Sequence, residues 1–556
     1  MRKTLLIIAT GLCAMTCAAA GAPMSVKNAR PNLVPLKCNQ CHLNEVAASL
    51  PGNASRAPRK AAAGEPITAT PAGKLFENMY VNSSAYGMGF GDVYTQKVDG
   101  GLGGVVEGSD GCIYIQAPIS QAYIWALGNP WLKCTKAKGD TIVMDTPQPY
   151  AIDYGDPYYA YRMKLNSDSS SFVVDSVNTK VRFVWRNNTL TQIDDCLVGL
   201  GDAKGEWYYM GDYDIKYTVN PDVVAKIPAN TQKLAYKMTY IPKATKLDST
   251  TYMMTSAYVN PSDLQTAYLD HICTDLPNGA VKIELAGKGN TKMPTRQYLG
   301  VDKIYNSHVY MLAGNAKVES SSTGSKYFNY DQTEALELAT NGESSYTLTA
   351  KYPASLIINA GRSNLYIISE YVAPQLTPAE DKAIVPADPV ISSVKQLSKC
   401  DQLSFVIPTV GVNGEELNVN ELYYNVYYND HAYTFTPDKY QGLDSDMTDI
   451  PYSFSDVKFD FYTSKGSTTV YFYDKDWTKI GVQSIYRGGG KENRSKVVYY
   501  DKVTGIDATQ AAAKTVKSVE TFDLMGRKTA NDASGLVIKR TTYTDGSVKV
   551  TKTLAR

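Results

Sequence analysis

Leu127-Gly128-Asn129-Pro130-Trp131-Leu132-Lys133, followed by Lys138-Gly139-Asp140-Thr141 and Pro147-Gln148-Pro149-Tyr150, recurs in outline further along the chain. The echo is Leu276-Pro277-Asn278-Gly279-Ala280-Val281-Lys282, then Lys288-Gly289-Asn290-Thr291 and Arg296-Gln297-Tyr298. A fixed internal period constrains a fold more than any single segment does. Both stretches lead to a sheet-like run ending in a glycine turn, Leu197-Val198-Gly199-Leu200-Gly201 and Leu356-Ile357-Ile358-Asn359-Ala360-Gly361. Residues 73–220 and 221–385 therefore read as two diverged copies of one antiparallel β module, a barrel or a sandwich.

Short β-rich runs such as Gly111 to Ile115, Thr141 to Met144 and Val181 to Trp185 are separated by Gly, Asn and Asp turns. No segment carries a sustained apolar stripe of period 3.6, so helices should be few and short. After the Pro-containing linker Ala383 to Pro389, evenly spaced strands from Gln402 to Tyr473 suit a third unit, a β-sandwich over 386–505. The fold class is all-β and multi-domain: two tandem β modules, a sandwich and a small C-terminal β domain over 506–556. Arg487 to Ser495 is glycine-rich but leads into a strand-like run without the Gly-Lys-Ser/Thr ending of a phosphate cradle, so it reads as a mobile hairpin tip.

In the tail, Val519-Glu520-Thr521-Phe522-Asp523-Leu524-Met525-Gly526-Arg527 precedes Gly535 to Arg540 and Tyr543-Thr544-Asp545-Gly546-Ser547-Val548-Lys549-Val550. This pattern resembles the type A C-terminal sorting domain of type IX secretion cargo in Bacteroidota, with Phe522 and Val537 where an aromatic Tyr is usual. The residues that carry the resemblance are Phe522, Asp523, Leu524, Gly526, Arg527, Gly535, Asp545 and Gly546. It implies export by the type IX machinery, removal of the tail, and a secreted or surface-attached form. The tandem units resemble calycin-like β-barrel modules of secreted proteins from the same bacterial group, and the third resembles the fibronectin type III-like domain that often precedes such tails.

The opposite end agrees with export. Met1-Arg2-Lys3, an apolar run and Ala18-Ala19-Ala20 have the three regions of a signal peptide over 1–20. Residues 21–72 are rich in Pro, Ala, Gly and basic side chains and poor in large apolar ones, the composition of a disordered linker. No other run approaches the ~18 apolar residues that span a membrane. Lys+Arg 56 against Asp+Glu 55 leaves a formal charge of +1, which favours no nucleic-acid partner. Of nine cysteines, Cys13 and Cys17 fall in the leader. The odd number left, scattered over several units, forms no disulfide framework and reads as small buried side chains.

Cys38-Asn39-Gln40-Cys41-His42 has the spacing of c-type haem attachment, with two thiols for the porphyrin and a histidine for iron. Its surroundings lack an apolar pocket. Chance occurrence in a disordered arm, a local disulfide or a reactive thiol pair therefore stands ahead of haem, and no cofactor is expected. His271, His308 and His431 lie in no catalytic signature, and Asn429-Asp430-His431 reads first as a hairpin turn. Asp444 to Asp449 lacks the glycine and distal glutamate of a calcium loop. No catalytic or metal-binding residue is assigned.

Tyrosine is abundant, 42 residues against 12 Phe, which suits sheets with one dry and one wet face. Tyr158, Tyr159, Tyr161, Trp207 and Tyr208 are candidates for ligand contact, because successive side chains on a strand point to opposite faces. The function these features suggest is a non-catalytic, adhesin-like binding protein at the cell exterior, for a glycan or a host surface protein. The alternative is a secreted hydrolase of glycan or protein with its site on module loops, and a third is an electron carrier through the C-x-x-C-H arm.

Overall fold

The computed structural model describes residues 64–555, leaving out internal stretches among which are 121–126, 273–278, 286–290, 341–346, 503–515, 523–527 and 530–534. The chain is all-β, and among the described residues there is no α-helix. The first twelve strands are β1 (Gly73–Gly89), β2 (Asp92–Gly108), β3 (Ile113–Gln116), β4 (Trp131–Lys136), β5 (Thr141–Asp145), β6 (Gln148–Asp153), β7 (Asp156–Leu165), β8 (Phe172–Val174), β9 (Lys180–Arg186), β10 (Thr189–Gln192), β11 (Leu197–Asp202) and β12 (Trp207–Thr218). Eight of them close an antiparallel barrel in the order β1-β2-β3-β4-β5-β9-β10-β12, with β12 pairing back onto β1. The other four form a flap: β11 pairs β12 and β7, and β7 pairs β6 and β8.

The next twelve repeat this strand for strand. They are β13 (Gln232–Ile241), β14 (Thr251–Asn260), β15 (Asp263–Asp270), β16 (Val281–Glu284), β17 (Thr291–Pro294), β18 (Gln297–Asp302), β19 (Ser307–Ser320), β20 (Lys326–Thr333), β21 (Ala335–Thr340), β22 (Leu348–Thr349), β23 (Ala354–Ala360) and β24 (Tyr366–Pro378). The second barrel closes as β13-β14-β15-β16-β17-β21-β22-β24, and its flap is β18, β19, β20 and β23. Each circuit is a barrel rather than a sandwich, because no pair of edges is left open within it.

Alternation along the strands fills both interiors. β9 runs exposed-buried-exposed-buried from Lys180 to Phe183, and β21 places Leu336 and Leu338 inside between outward neighbours. Val105, Leu132, Met144 and Phe183 of barrel 1 share a core with Leu200 of its flap, and Met238, Leu336 and Leu338 of barrel 2 share one with Met311, Leu356 and Ile358 of its flap. An eight-stranded barrel is just wide enough for side chains to fill its interior.

Local devices repeat as well. The Gln148 side chain clamps the β4–β6 corner: its Oε1 accepts from Lys133 N at 2.8 Å and its Nε2 donates to the carbonyls of Lys133 and Asp145 at 2.7 and 2.9 Å. Gln297 does the same to Lys282 N, Lys282 O and Pro294 O at 2.7, 2.9 and 2.8 Å. One residue is bulged from the last barrel strand at matching places, between Tyr213 and Lys216 and between Val372 and Gln375. Asp214 and Ala373, with φ of 52° and 48°, make these turns.

One end of the barrel 1 interior carries polar side chains. The segment after β3 is tied there by barrel side chains: Tyr217 Oη donates to Gln116 O at 2.7 Å and Tyr150 Oη reaches Ile119 O at 3.5 Å. Asp212 accepts from Ser120 N, Ser120 Oγ and Ser83 Oγ at 2.8, 3.0 and 2.5 Å. This changes the reading of the tyrosines. Tyr150, Tyr213, Tyr217, Tyr310, Tyr424 and Tyr440 are fully buried rather than half-wet, and the hydroxyls of Tyr150, Tyr217 and Tyr310 bond carbonyl or carboxylate oxygens.

Beyond barrel 2, β25 (Val390–Gln396), β26 (Asp401–Val406), β30 (Phe461–Ser464) and β31 (Ser467–Phe472) form one sheet of a sandwich. The other sheet is built on β27 (Leu422–Tyr428) and β32 (Lys479–Tyr486). Phe405, Val470 and Phe472 meet Tyr424, Val426 and Ile480 in a common core. Asn429 at φ 55° turns the chain so that Tyr428 faces His431, the hairpin expected there. Arg487 to Ser495 packs rather than projects: Gly489 donates its N–H to Asp381 Oδ1 at 2.6 Å. A Cβ at Gly489 would strike Ala383 N, and its φ is 64°. The linker thus lies against the sandwich, with Ile384 packed on its core.

A four-stranded antiparallel sheet of residues 516–522, 528–529, 535–543 and 548–555 ends the described chain. No helix among the described residues is long and apolar enough to cross a membrane.

Candidate functional site

A connected set of polar and titratable side chains lies in the seam between the two barrels. The sheets meet where Ser307 faces Gly101 and Leu102 N donates to Asn306 O at 3.0 Å. Gly100, at φ 112°, passes so close to Gly361 that a Cβ would stand 2.5 Å from its Cα. Around this crossing the flap of barrel 2 presents Tyr298, His308, Tyr310 and Arg362, the linker presents Asn220 and Asp222, and β1–β2 present Tyr80 and Asp99.

Hydrogen bonds run through the set without a break. Tyr80 Oη donates to Asp99 Oδ1 at 2.8 Å, and Arg362 N donates to Asp99 O at 3.1 Å. Tyr310 Oη donates to Asp222 Oδ2 at 2.8 Å, and the Arg362 guanidinium grips the same carboxylate. The guanidinium also stands over the Tyr80 and Tyr310 rings, 5.2 and 5.8 Å from their centroids. His308 stacks on Tyr80 at 5.2 Å. Its Nδ1 lies 2.9 Å from Tyr298 Oη and 3.2 Å from Asn220 Nδ2. An amide nitrogen can only donate, so Nδ1 is the acceptor and the proton sits on Nε2.

Burial sets the charge states. It drives the His308 imidazole down to about 4, against the carbonyls of Met79 and Asn78 that favour the charged ring. Burial, and then the neighbouring Asp99 and Asp222, push the Tyr80 and Tyr310 phenols far up. At neutral pH the histidine and the phenols are neutral, beside the Asp222–Arg362 pair and the Asp99 side chain that accepts from Tyr80. His308 and Tyr310 are 1% and 0% exposed, while the Arg362 and Asp222 side chains at the edge of the seam keep 36% and 31% of their surface. Its chemistry is that of a clamp.

The same mode of docking recurs at the next joint. β13 and β14, the counterparts of β1 and β2, receive the sandwich: Lys233 pairs with Glu421, Lys237 and Tyr252 with Glu416, and Asn420 Nδ2 donates to Met254 O at 3.0 Å. Tyr80 faces Leu102 and Lys237 faces Met254, so Leu102 and Met254 hold the same register position. Each gives its carbonyl to an asparagine of the following unit, Asn306 at 3.5 Å and Asn420.

The five aromatic candidates separate into two groups. Tyr159, Tyr161 and Trp207 are 6%, 3% and 7% exposed and pack under the flap with Tyr86, Phe172 and Tyr213. Tyr158 and Tyr208 turn the other way, with Tyr158 half-buried against the barrel 1 core. Their rings lie 4.6 Å apart at 57°, with Tyr208 37% exposed beside Ile152 at 56%. Asp156, Pro157, Lys204 and Glu206 are exposed around them.

Of the tail residues, Phe522 pairs Ile538 and Gly535 pairs Ala555, whereas Asp523, Leu524, Gly526, Arg527, Asp545 and Gly546 lie outside the described residues. So do Cys38, Cys41 and His42. Among the described cysteines Cys134 and Cys196 are buried, Cys112 and Cys400 half-buried, and all four carry free thiols. Among the described residues no group of three or more His, Cys, Asp or Glu side chains is placed to hold a metal ion.

The seam was missed in the sequence because its members are spread from Tyr80 to Arg362 with no local motif. The repeat held the signal, since buried His308 stands where barrel 1 has Pro157. No protein-family model matches the chain, and no curated protein matches it.

Proposed function

We propose that this is an exported, non-catalytic binding protein displayed outside the cell, with a glycan or a protein surface held at the Tyr158–Tyr208 face of barrel 1. The observation that carries the reading is that tilted aromatic pair, Tyr208 exposed and Tyr158 half-buried against the barrel core, with Asp156, Asp202 and Glu206 on the neighbouring chain. Rings of this kind stack on sugar faces or apolar protein groups while neighbouring polar atoms bond hydroxyls and amides. The apolar cores that occupy both barrels support surface contact rather than enclosure of a small molecule.

Export rests on the leader and on the resemblance of the tail to type IX sorting domains. The strands at 516–522 and 535–543 agree with the strand pattern of that resemblance. Chain lacking residues 506–556 is expected to fold and stay in the periplasm, and full surface display of it would remove the sorting assignment. The binding test is an array of host and dietary glycans and matrix proteins probed with this tail-less protein. Binding that is lost on Tyr208→Ala is the expected result, and no binding at near-millimolar affinity would remove the reading.

A further inference from the structure

Barrel 1 carries an open copy of the face by which barrel 2 docks. Register fixes the correspondence: Gln148 faces Ala160 and Gln297 faces Met311, so Asp156, Pro157 and Asp202 stand where barrel 2 has Ser307, His308 and Ala360. Those three are 2%, 1% and 0% exposed, covered by β1 and β2 of barrel 1. Their counterparts Asp156 and Pro157 are exposed and Asp202 half-buried, with Tyr208 and Ile152 alongside.

The chain enters both barrels by the same path. Into barrel 2, Asn220 passes His308 and Tyr310, and Val224 lies against Gly279. Into barrel 1, Gly64 passes Pro149, the counterpart of Tyr298, and Ile67 bridges to Trp131, the counterpart of Ala280. Upstream on this path in barrel 2 lies barrel 1, and it covers the face. Upstream in barrel 1 lie residues 21–63. A second copy fits less well, because the surfaces of this chain that suit such a face, β1–β2 and β13–β14, are already taken by barrel 2 and the sandwich.

Charge agrees with this choice of occupant. Residues 21–63 hold Lys27, Arg30, Lys37, Arg56, Arg59 and Lys60 against Glu45 alone, together with Leu36, Leu43, Val46 and Leu50. The face offers Asp156, Asp202 and Glu206 against Lys204, around Pro157 and Tyr208. Tethering a few residues away gives the segment a high effective concentration there.

We propose that residues 21–63 dock on the Pro157–Tyr208 face of barrel 1 and occupy it in competition with the outside ligand. The competition rests on the binding reading above; the docking does not. The test compares protein beginning at residue 21 with protein beginning at residue 64, both otherwise complete, by tyrosine nitration with tetranitromethane and peptide mass spectrometry. Tyr252, Tyr352, Tyr473 and Tyr499, exposed elsewhere, serve as references. Tyr208 should react several-fold more slowly in the longer protein with the references unchanged, and a peptide of residues 21–63 should restore protection to the shorter one. In the longer protein Pro157→Asp with Tyr208→Ser should speed proteolytic cleavage within 21–63 several-fold. Equal Tyr208 rates in the two proteins would overturn the docking, as would protection in both that fades on dilution, which would assign the face to a second copy. The array is read on both proteins separately: ligand binding with equal nitration rates leaves the binding reading and removes the docking, and slowed nitration without binding does the reverse.

Discussion

At one pair of matched positions the two barrels solve the same packing problem with opposite chemistry. Ser83 and Asp212 in barrel 1 stand where barrel 2 has Tyr240 and Tyr371. The tyrosines meet edge to face at 4.7 Å, part of an apolar interior. In barrel 1 a carboxyl 1% exposed takes their place and is satisfied by two serines, one of them on the segment tied across the barrel end. One scaffold thus tolerates either a dry aromatic contact or a buried acid, provided the acid brings its own donors.

Importing half of the polar solution into barrel 2 should do the most damage. Tyr371→Asp removes a large buried ring and leaves a carboxylate without donors, and it should cost about 3–5 kcal/mol in chemical denaturation. Adding Tyr240→Ser should recover part of that loss. A Tyr371→Asp variant as stable as the parent would show that the matched sites are not equivalent in packing.

The second test is pH. Burial raises the Asp212 carboxyl to about 6, against the hydrogen bonds from Ser83 and Ser120. The folded state then holds a proton that the unfolded chain releases near its ordinary value of 3.8. Stability from this site is therefore full at acid pH, falls as pH rises towards about 6 and is flat above, a loss of order 2–3 kcal/mol. Thermal unfolding from pH 4 to 8 should show this slope in the parent and lose it in Asp212→Asn. An unchanged slope in that variant would place the titration elsewhere.

Gly100→Ala should follow in size, since the new Cβ meets the Gly361 backbone and the φ of 112° disfavours any side chain. A loss of about 1–3 kcal/mol is expected, with the barrels unfolding in two separate calorimetric transitions in place of a coupled one. The smallest effect distinguishes the two clamps. Gln297→Ala should cost about 1–2 kcal/mol and Gln148→Ala less, because the first clamp is part-buried and the second is open to water.

The architecture was legible where it depended on repetition. The echo of Leu127–Tyr150 in Leu276–Tyr298 contains the glutamine that makes the same three hydrogen bonds in each barrel. The alternation of short strands gave the all-β class. Barrel closure was not legible, because it is a long-range fact: β12 must return to β1, and no local pattern encodes that pairing. Tyrosine content misled for a related reason. Tyr150 and Tyr217 are core residues whose hydroxyls find carbonyls on a segment distant along the chain, which composition alone cannot distinguish from a wet face. Of the aromatic runs, alternation separated the outward Tyr158 and Tyr208 from their buried neighbours only once the strand faces were known.

The way each barrel closes also fixes how it responds to being pulled. Entering and leaving strands are antiparallel neighbours whose pairing begins at Tyr80 opposite Thr218 and at Tyr236 opposite Pro378. Tension applied along the chain loads these pairs from one end and separates them bond by bond, as a zipper opens, instead of shearing a whole ladder at once. The clamp at Arg362 and Asp222 sits beside the first tooth of the first zipper, with the guanidinium over Tyr80, and holds it shut at rest. A chain anchored at one end and gripped at the other would pay out slack one barrel at a time, at modest force.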